Sequence, residues 1–206
     1  MSRRTLYRIL LPIQMLLILV CFVTSSSAET LSPGAKVKDV VLRVKAIMND
    51  KVQSSQSEID EKILAIINPS FDFRAMSQSC LAANWKKADK AEQDEFVDLF
   101  SSLLRKTYLS RIRDNIAESK VDIVDERIRG DKAVVKTKVE DKGDLVAIDY
   151  RMKLSGDAWR VHDVSIENVW LVSNYRSEFS SILRKSKMQG LLESLREKNR
   201  KLEEKK

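Results

Sequence analysis

Apolar residues recur at intervals of three and four along the first part of the chain, which is the spacing of one helical face. This pattern predicts one helix after Ser32-Pro33-Gly34 and a second from Ser57 to Ile67, where Asn68-Pro69 ends it. A third helix begins at Asp89, because Asp89 and Glu92 have the spacing of a capping box. Its buried stripe consists of Phe96, Leu99, Phe100, Leu103, Thr107 and Ile112.

The period changes to two near Lys120, which is the alternation of a half-buried β-strand. Turns at Gly130-Asp131, Lys142-Gly143-Asp144 and Ser155-Gly156-Asp157 separate four such segments. In the fourth segment the apolar side chains move from odd to even positions, which predicts a β-bulge close to His162-Asp163. Sequential strands joined by short turns predict an antiparallel meander.

A helical period returns from Leu171 onward and predicts a C-terminal helix, whose charged end after Asn199 we expect to fray. The order of helices, strands and helix predicts an α+β fold. We expect the helices to pack on one face of a curved sheet of about four strands, as in cones of the NTF2-like or cystatin-like type.

The first 28 residues have the composition of a secretory signal peptide. Three arginines precede an apolar run from Met15 to Val23, and Ser26 and Ala28 are the small residues of a cleavage site after Ala28. The apolar run is too short to span a bilayer. A lipoprotein signal at Cys21 is the alternative, but Val20 is larger than the residue usual before such a cysteine. We therefore expect an exported soluble chain in which residues 29–206 form a single domain.

The net charge of +7 comes from the two ends of the chain. Three arginines leave with the signal peptide, and residues 184–206 hold nine Lys/Arg against four Glu. The remainder is nearly neutral, so the chain lacks the broad basic surface of a nucleic-acid-binding protein. The basic tail near 184–206 is either a solvated helix end or a contact for anionic lipids and acidic partners.

The chain offers few groups for catalysis or metal binding. Cys80 is the only cysteine of the expected mature chain and His162 is the only histidine. Neither an intramolecular disulfide nor a zinc site of the usual composition can form from this set. Five glycines in the whole chain leave no phosphate-cradling loop.

Two classes of function need none of these groups and are therefore compatible with the sequence. An isomerase-like enzyme on a cone fold needs only an inward aspartate and a tyrosine as oxyanion donor. Asp149 or Asp163 with Tyr150 or Tyr108 would supply them, although Asp149 and Tyr150 fall on opposite faces of their strand. The other function is that of an exported helical adaptor or chaperone, whose apolar stripes serve only packing.

A series of aromatic and polar residues extends in order over most of the expected mature chain. It consists of Phe71-Asp72-Phe73, Met76, Leu81, Trp85, Gln93, Phe96, Phe100, Tyr108, Tyr150, Trp159, Asp163 and Asn174-Tyr175-Arg176-Ser177-x-Phe179. In this series the chain resembles the MlaC family of periplasmic phospholipid-binding proteins, also known as toluene-tolerance auxiliary transport proteins. The family typically has Gly and Ser where this chain has Asn168 and Trp170, and a tryptophan beside a pocket narrows its entrance or adds a wall.

The resemblance implies a phospholipid carrier rather than an enzyme. Such a carrier holds lipid tails between the sheet and the helices while the head group faces solvent. It would exchange lipid with an inner-membrane ABC transporter that has an MCE-domain subunit and with an outer-membrane lipoprotein–porin complex, maintaining outer-membrane lipid asymmetry. We expect a periplasmic monomer with phospholipid as cargo, no other cofactor, no metal and no nucleic-acid partner.

The apolar stripes supply the residues that we expect to contact lipid tails. They are Phe96, Phe100, Leu103 and Tyr108 of the third helix and Val135, Val139, Ile148, Tyr150, Met152, Trp159, Val161, Val164 and Ile166 of the sheet. Such stripes are also typical of a solid core, and only the resemblance favours a pocket. We expect Trp170, Tyr175 and Arg176 at the pocket rim or at a partner surface, with Tyr175 packed under the sheet. Arg176 would then form an ion pair or lie near the lipid phosphate.

Overall fold

The computed structural model describes residues 31–50, 55–141 and 143–204. The expected signal peptide 1–28, its cleavage site and Cys21 lie outside the described residues. The helices and strands are α1 Pro33–Met48, α2 Gln56–Ile67, α3 Phe73–Leu81, α4 Lys90–Ile116, β1 Lys120–Arg129, β2 Lys132–Asp141, β3 Asp144–Ser155, β4 Ala158–Ile166, β5 Val169–Trp170 and α5 Leu171–Glu203. This order of helices, sheet and helix confirms the α+β prediction.

Side chains cap the helices at the starts that the sequence predicts. The Ser32 hydroxyl accepts a hydrogen bond from the Ala35 N–H, and Pro33 occupies the first turn of α1. At α4 the Asp89 carboxylate accepts from the Glu92 N–H at 2.8 Å, and the Glu92 carboxylate accepts from the Asp89 N–H at 3.1 Å. The predicted capping box is therefore confirmed.

The nine-residue helix α3 was not predicted. Asp72 caps its N-terminus by accepting from the Ala75 N–H at 2.9 Å. Its buried face includes Ser77 and Cys80 beside Met76, so a search for apolar residues alone finds too few of them to indicate a helix.

The sheet is an antiparallel meander in the order β1-β2-β3-β4-β5. Over the described residues it has five strands, where the sequence predicts about four. The fifth is a two-residue strand in which Val169 pairs with Ile166 and Trp170 with Ser165. Its turn consists of Glu167 and Asn168, both with positive φ (49° and 66°), so it carries no glycine to mark it in the sequence.

The predicted bulge in β4 is confirmed. Arg151 pairs with Asp163 and Met152 pairs with Val161, which leaves His162 as the extra residue. The bulge reverses the alternation, so that the apolar side chains before and after His162 face the same side of the sheet. That face packs against the helices, with Val135, Met152, Trp159, Val161 and Val164 buried.

Helix α5 bends sharply at Lys187, whose φ of 55° and ψ of −164° are not helical. The arm after the bend packs on α4 through buried Leu191, Leu192 and Leu195. The Asn199 amide donates to the Leu99 carbonyl oxygen at 2.9 Å. The helix continues to Glu203, so the segment after Asn199, which we expected to fray, is helical for a further turn.

Ion pairs involve several basic residues of the arm after the bend. Arg196 pairs with Glu95 of α4, and Lys198 pairs with Glu178 of the arm before the bend. Among residues 31–50, 55–141 and 143–204, no helix is long and apolar enough to span a membrane.

Candidate ligand-binding site

A cavity of about 440 Å³ lies between the sheet and helices α1, α2 and α4. Its sheet side consists of Val121, Val139, Val146, Ile148, Tyr150, Val164 and Ile166. Its helix side consists of Val40, Val41, Val44, Leu64, Ile67, Phe71, Phe73, Met76, Leu104, Leu109, Ile112, Ile116 and Leu171, with Arg105, Tyr108, Arg111, Asn115 and Ser119 as its polar members. This volume is in the range of small-molecule binding pockets.

The sheet side follows from strand register. Val146, Ile148 and Tyr150 alternate along β3 and therefore share one face. The pairing places Ile166 beside Ile148 and Val164 beside Tyr150, so two strands contribute a continuous apolar surface to the cavity.

The helix side follows from the helical repeat of α4. Wall residues recur there at intervals of three and four from Leu104 to Ile116. Val40 and Val44 of α1 repeat in the same way. Because α1 and α2 cover one side of α4, these stripes meet over the sheet without filling the space between them.

Polar groups at the sheet side are satisfied within the protein. The Thr137 hydroxyl donates to the Ile148 carbonyl oxygen at 2.7 Å. Burial raises the pKa of Tyr150 to about 12, and a hydrogen bond with Thr137 partly opposes this rise. The Tyr150 hydroxyl therefore stays protonated at neutral pH, and this side of the wall carries no charge.

The helix side carries two guanidinium groups. Arg105 is half-buried, and burial lowers the pKa of its guanidinium while the Asp98 carboxylate opposes this effect. The carbon of the guanidinium lies 5.5 Å from the ring centroid of Phe73, a cation–π contact. Arg111 is exposed. The cavity is thus apolar with positive charge on one side.

Six of the residues predicted to contact lipid tails line this cavity: Tyr108, Val139, Ile148, Tyr150, Val164 and Ile166. The other seven are buried in clusters of the core instead. Phe96, Phe100 and Leu103 lie among α3, α4 and α5, where the rings of Phe96 and Phe100 contact Phe179. Val135, Met152, Trp159 and Val161 lie in the cluster on the sheet.

The three residues predicted for the rim or a partner surface are not in the cavity wall. Trp170 lies under Arg151, whose guanidinium carbon is 3.7 Å from the ring centroid. Tyr175 packs on Phe100 and Phe179, with ring centroids 5.1 and 5.4 Å away. Arg176 donates from Nε to the Ser79 carbonyl oxygen at 2.8 Å, a contact between α5 and α3.

The aspartates of the isomerase hypothesis lie away from the cavity wall. Asp149 of β3 pairs with Ser165 of β4. Its position alternates with those of Ile148 and Tyr150, so it lies on the opposite face of the sheet. Asp163 is buried, with one carboxylate oxygen 3.1 Å from Arg151 Nη1 and the other accepting from the Val172 N–H at 3.1 Å. Its carboxylate thus anchors the start of α5. In the described part of the chain, no group of three or more His, Cys, Asp or Glu residues is arranged to hold a metal ion.

The sequence model of the family described as MlaC protein matches residues 38–197. The chain belongs to the MlaC family. The resemblance identified from the sequence is therefore confirmed. No curated protein matches the chain.

A solved structure is similar to this MlaC protein over most of its length. It is the phospholipid-binding protein from Ralstonia solanacearum in complex with a phospholipid. The two chains are 29% identical with a TM-score of 0.76, and the similarity covers 84% of this chain and 99% of that chain. This similarity over most of both chains indicates a common fold.

Sequence reasoning missed much of the helix side of this MlaC cavity. Of the residues it selected on α4, Tyr108 lies in the wall, whereas Phe96, Phe100 and Leu103 precede it, because the wall begins at Leu104. The valines of α1 and Phe71 and Phe73 before and in α3 were also missed. The sequence does contain one signal for this part of the wall, because the apolar stripe of α4 continues toward Ile116. Arginines and an asparagine interrupt its apolar positions there.

Proposed function

We propose that this protein is a carrier that binds a phospholipid with its acyl chains in the cavity between the sheet and helices α1, α2 and α4. The apolar cavity of about 440 Å³ carries the proposal. Membership of the MlaC family and the similarity to a protein solved with a bound phospholipid support it.

The physical requirement for such a carrier is complete removal of the acyl chains from water. Each methylene exposed to water costs about 0.8 kcal/mol, and a wall of valine, isoleucine and leucine side chains avoids that cost. Six predicted residues, Tyr108, Val139, Ile148, Tyr150, Val164 and Ile166, are the proposed tail contacts, together with the wall residues of α1 and α2.

We further propose where the carrier acts. Residues 1–28 are a cleaved signal peptide, and residues 29–206 are one domain that works as a periplasmic monomer. It moves phospholipid between an inner-membrane ABC transporter with an MCE-domain subunit and an outer-membrane lipoprotein–porin complex. This transport maintains the lipid asymmetry of the outer membrane.

Binding is preferred over catalysis because the candidate acids do not face the cavity. Asp163 is committed to Arg151 and to the Val172 N–H, and Asp149 has the opposite strand parity from Tyr150. A carrier needs none of these groups, and no metal or other cofactor is proposed.

Native mass spectrometry followed by lipid extraction tests the proposal. The chain from Glu29 is purified without detergent, and its mass is measured before and after delipidation. We expect a stoichiometric phospholipid adduct that is lost on delipidation and regained from vesicles.

A variant that fills the cavity gives the matched comparison. Ile148→Trp places a larger side chain into the cavity and should reduce the loaded fraction several-fold, whereas Val124→Trp, at an exposed position of β1, should load normally. A wild-type protein that never acquires phospholipid, or equal loading of both tryptophan variants, would contradict the proposed site.

A further inference from the structure

Arg105 is a charged side chain in the wall of an otherwise apolar cavity. Within the described ranges, no carboxylate lies within 4.0 Å of its guanidinium and no hydrogen bond is made by its N–H groups. The Asp98 carboxylate attracts it from farther away. A guanidinium has five N–H donors, and in the described part of the protein no acceptor group uses those of Arg105.

One aromatic ring, itself stacked on a second, holds this guanidinium at the wall. The ring of Phe73 lies 5.5 Å from the guanidinium carbon and stacks on Phe71 with a centroid separation of 5.6 Å. Both rings line the cavity. A cation–π contact stabilises the charge but accepts none of the N–H hydrogen bonds, so the donors stay available to a ligand.

The half-buried, unpaired charge has an energetic consequence. Burying part of a charge without a partner is unfavourable, and proteins normally pair such groups with an opposite charge. An anion bound beside Arg105 would supply the missing partner. A neutral ligand of the same shape would leave the guanidinium without a partner of opposite charge.

We propose that Arg105 binds the phosphate of the lipid and thereby selects phosphodiester lipids over neutral lipids with the same acyl chains. This inference rests on the proposed carrier function. The planar guanidinium presents parallel N–H donors that match two phosphate oxygens. The phosphate would therefore sit next to Phe73, with the tails directed along the sheet.

Arg111 is the other guanidinium in the wall, and it is less suited to this role. It lies six residues farther along α4, a rise of about 9 Å, and it is exposed to solvent. A contact with an exposed arginine is screened by water and salt, so its removal should change selectivity less than removal of Arg105.

A competition between lipids tests the inference. The delipidated protein from Glu29 is incubated with vesicles that contain phosphatidylglycerol, phosphatidylethanolamine and diacylglycerol with identical acyl chains, and the bound lipids are quantified by mass spectrometry. Arg105→Met keeps an unbranched side chain over Phe73 and removes the charge. We expect the ratio of bound phospholipid to bound diacylglycerol to fall about ten- to a hundredfold.

Two further variants separate charge, geometry and folding. Arg160→Met removes an exposed arginine of β4 and should leave the ratio unchanged. Arg105→Lys keeps the charge but loses the paired donors, and it should give an intermediate ratio. Circular dichroism of each variant verifies that the lipid ratio is compared among folded proteins.

The outcomes distinguish this inference from the carrier function. If the wild type binds phospholipid and diacylglycerol equally, or if Arg105→Met retains the ratio, the phosphate site is wrong while the carrier function stands. If the wild type binds neither lipid, both are wrong. If inorganic phosphate alone shifts the Arg105 Nε resonance and Arg105→Met retains the lipid ratio, the site binds a free anion and the inference is overturned.

Discussion

At the scale of single residues, Cys80 shows how burial controls reactivity. Its thiol is 1% exposed and contacts the Val172 carbonyl oxygen at 3.7 Å. Burial, reinforced by the charge of Asp163, raises the pKa of this thiol to about 12, although Arg176 opposes the rise. The reactive thiolate is therefore scarce and inaccessible at neutral pH.

We expect Cys80 to react with Ellman's reagent at least a hundredfold more slowly in the native protein than in urea, because labelling requires opening of the core. The Cys80→Ser/Ser173→Cys variant, with its thiol at an exposed position of α5, should react at the rate of a free thiol. Fast labelling of the native wild type would show that the α3–α5 contact opens easily.

His162, the extra residue of the β4 bulge, predicts a pH dependence of stability. Burial lowers the pKa of its imidazole below the ordinary value of 6.5; Arg151 adds to the effect and Asp163 opposes it. Below pH 6.5 the unfolded state therefore binds more protons than the folded state, and stability falls as the pH decreases until the folded-state pKa is passed.

Urea unfolding between pH 7.5 and pH 5 measures this dependence. The free energy of unfolding should decrease with pH in the wild type and decrease less steeply in His162→Gln, which cannot titrate. Identical slopes for the two proteins would assign the pH dependence to other groups.

At the scale of elements, the bend of α5 depends on a close approach between two turns of helix. A Cβ atom at Gly190 would lie 2.2 Å from the Ser186 Cβ, which is closer than any ordinary contact. We expect Gly190→Ala to lower the free energy of unfolding by about 1–3 kcal/mol through this overlap, even though alanine is the better helix former.

Ser186→Gly in the same chain removes the overlapping atom and should restore most of the lost stability. Urea unfolding of both single variants and the double variant gives the coupling between the two sites. If the effects of the two substitutions on the free energy of unfolding were additive, the backbone around the bend would accommodate the extra methyl group without contact with Ser186.

The elements that were predicted share strong local signals. The capping box at Asp89 and the change of parity around His162 are each encoded within a few residues, so sequence reasoning found them. Strand β5 was missed because it has two residues and a turn without glycine. Helix α3 was missed because serine and cysteine fill part of its buried face.

At the scale of the whole molecule, the cavity was harder to predict than the core. Phe100 and Ile112 belong to the same apolar stripe of α4, yet Phe100 is packed against aromatic rings and Ile112 faces the cavity. Periodicity predicts which side of a helix faces inward. Whether that interior is filled depends on residues of α1, α2 and the sheet that meet only in the folded chain.

Occupation of the cavity should stabilise the whole fold. A ligand that binds only the folded state adds about 2.7 kcal/mol at a concentration of one hundred times its Kd, which for a domain of this size raises Tm by about 5–10 °C. Differential scanning calorimetry of loaded and delipidated protein measures the shift. Ile148→Trp should show little shift, and equal Tm values for loaded and delipidated wild type would place the lipid outside the cavity.

The arm of α5 after the bend also has a consequence for the folding pathway. Gln189, Arg196 and Asn199 bind Glu92, Glu95 and Leu99, partners about one hundred positions earlier in the chain. Contacts of such long range close large loops and slow the search for the native topology. We therefore expect this side of helix α4 to be covered late in folding and its apolar face to be accessible to a chaperone until then.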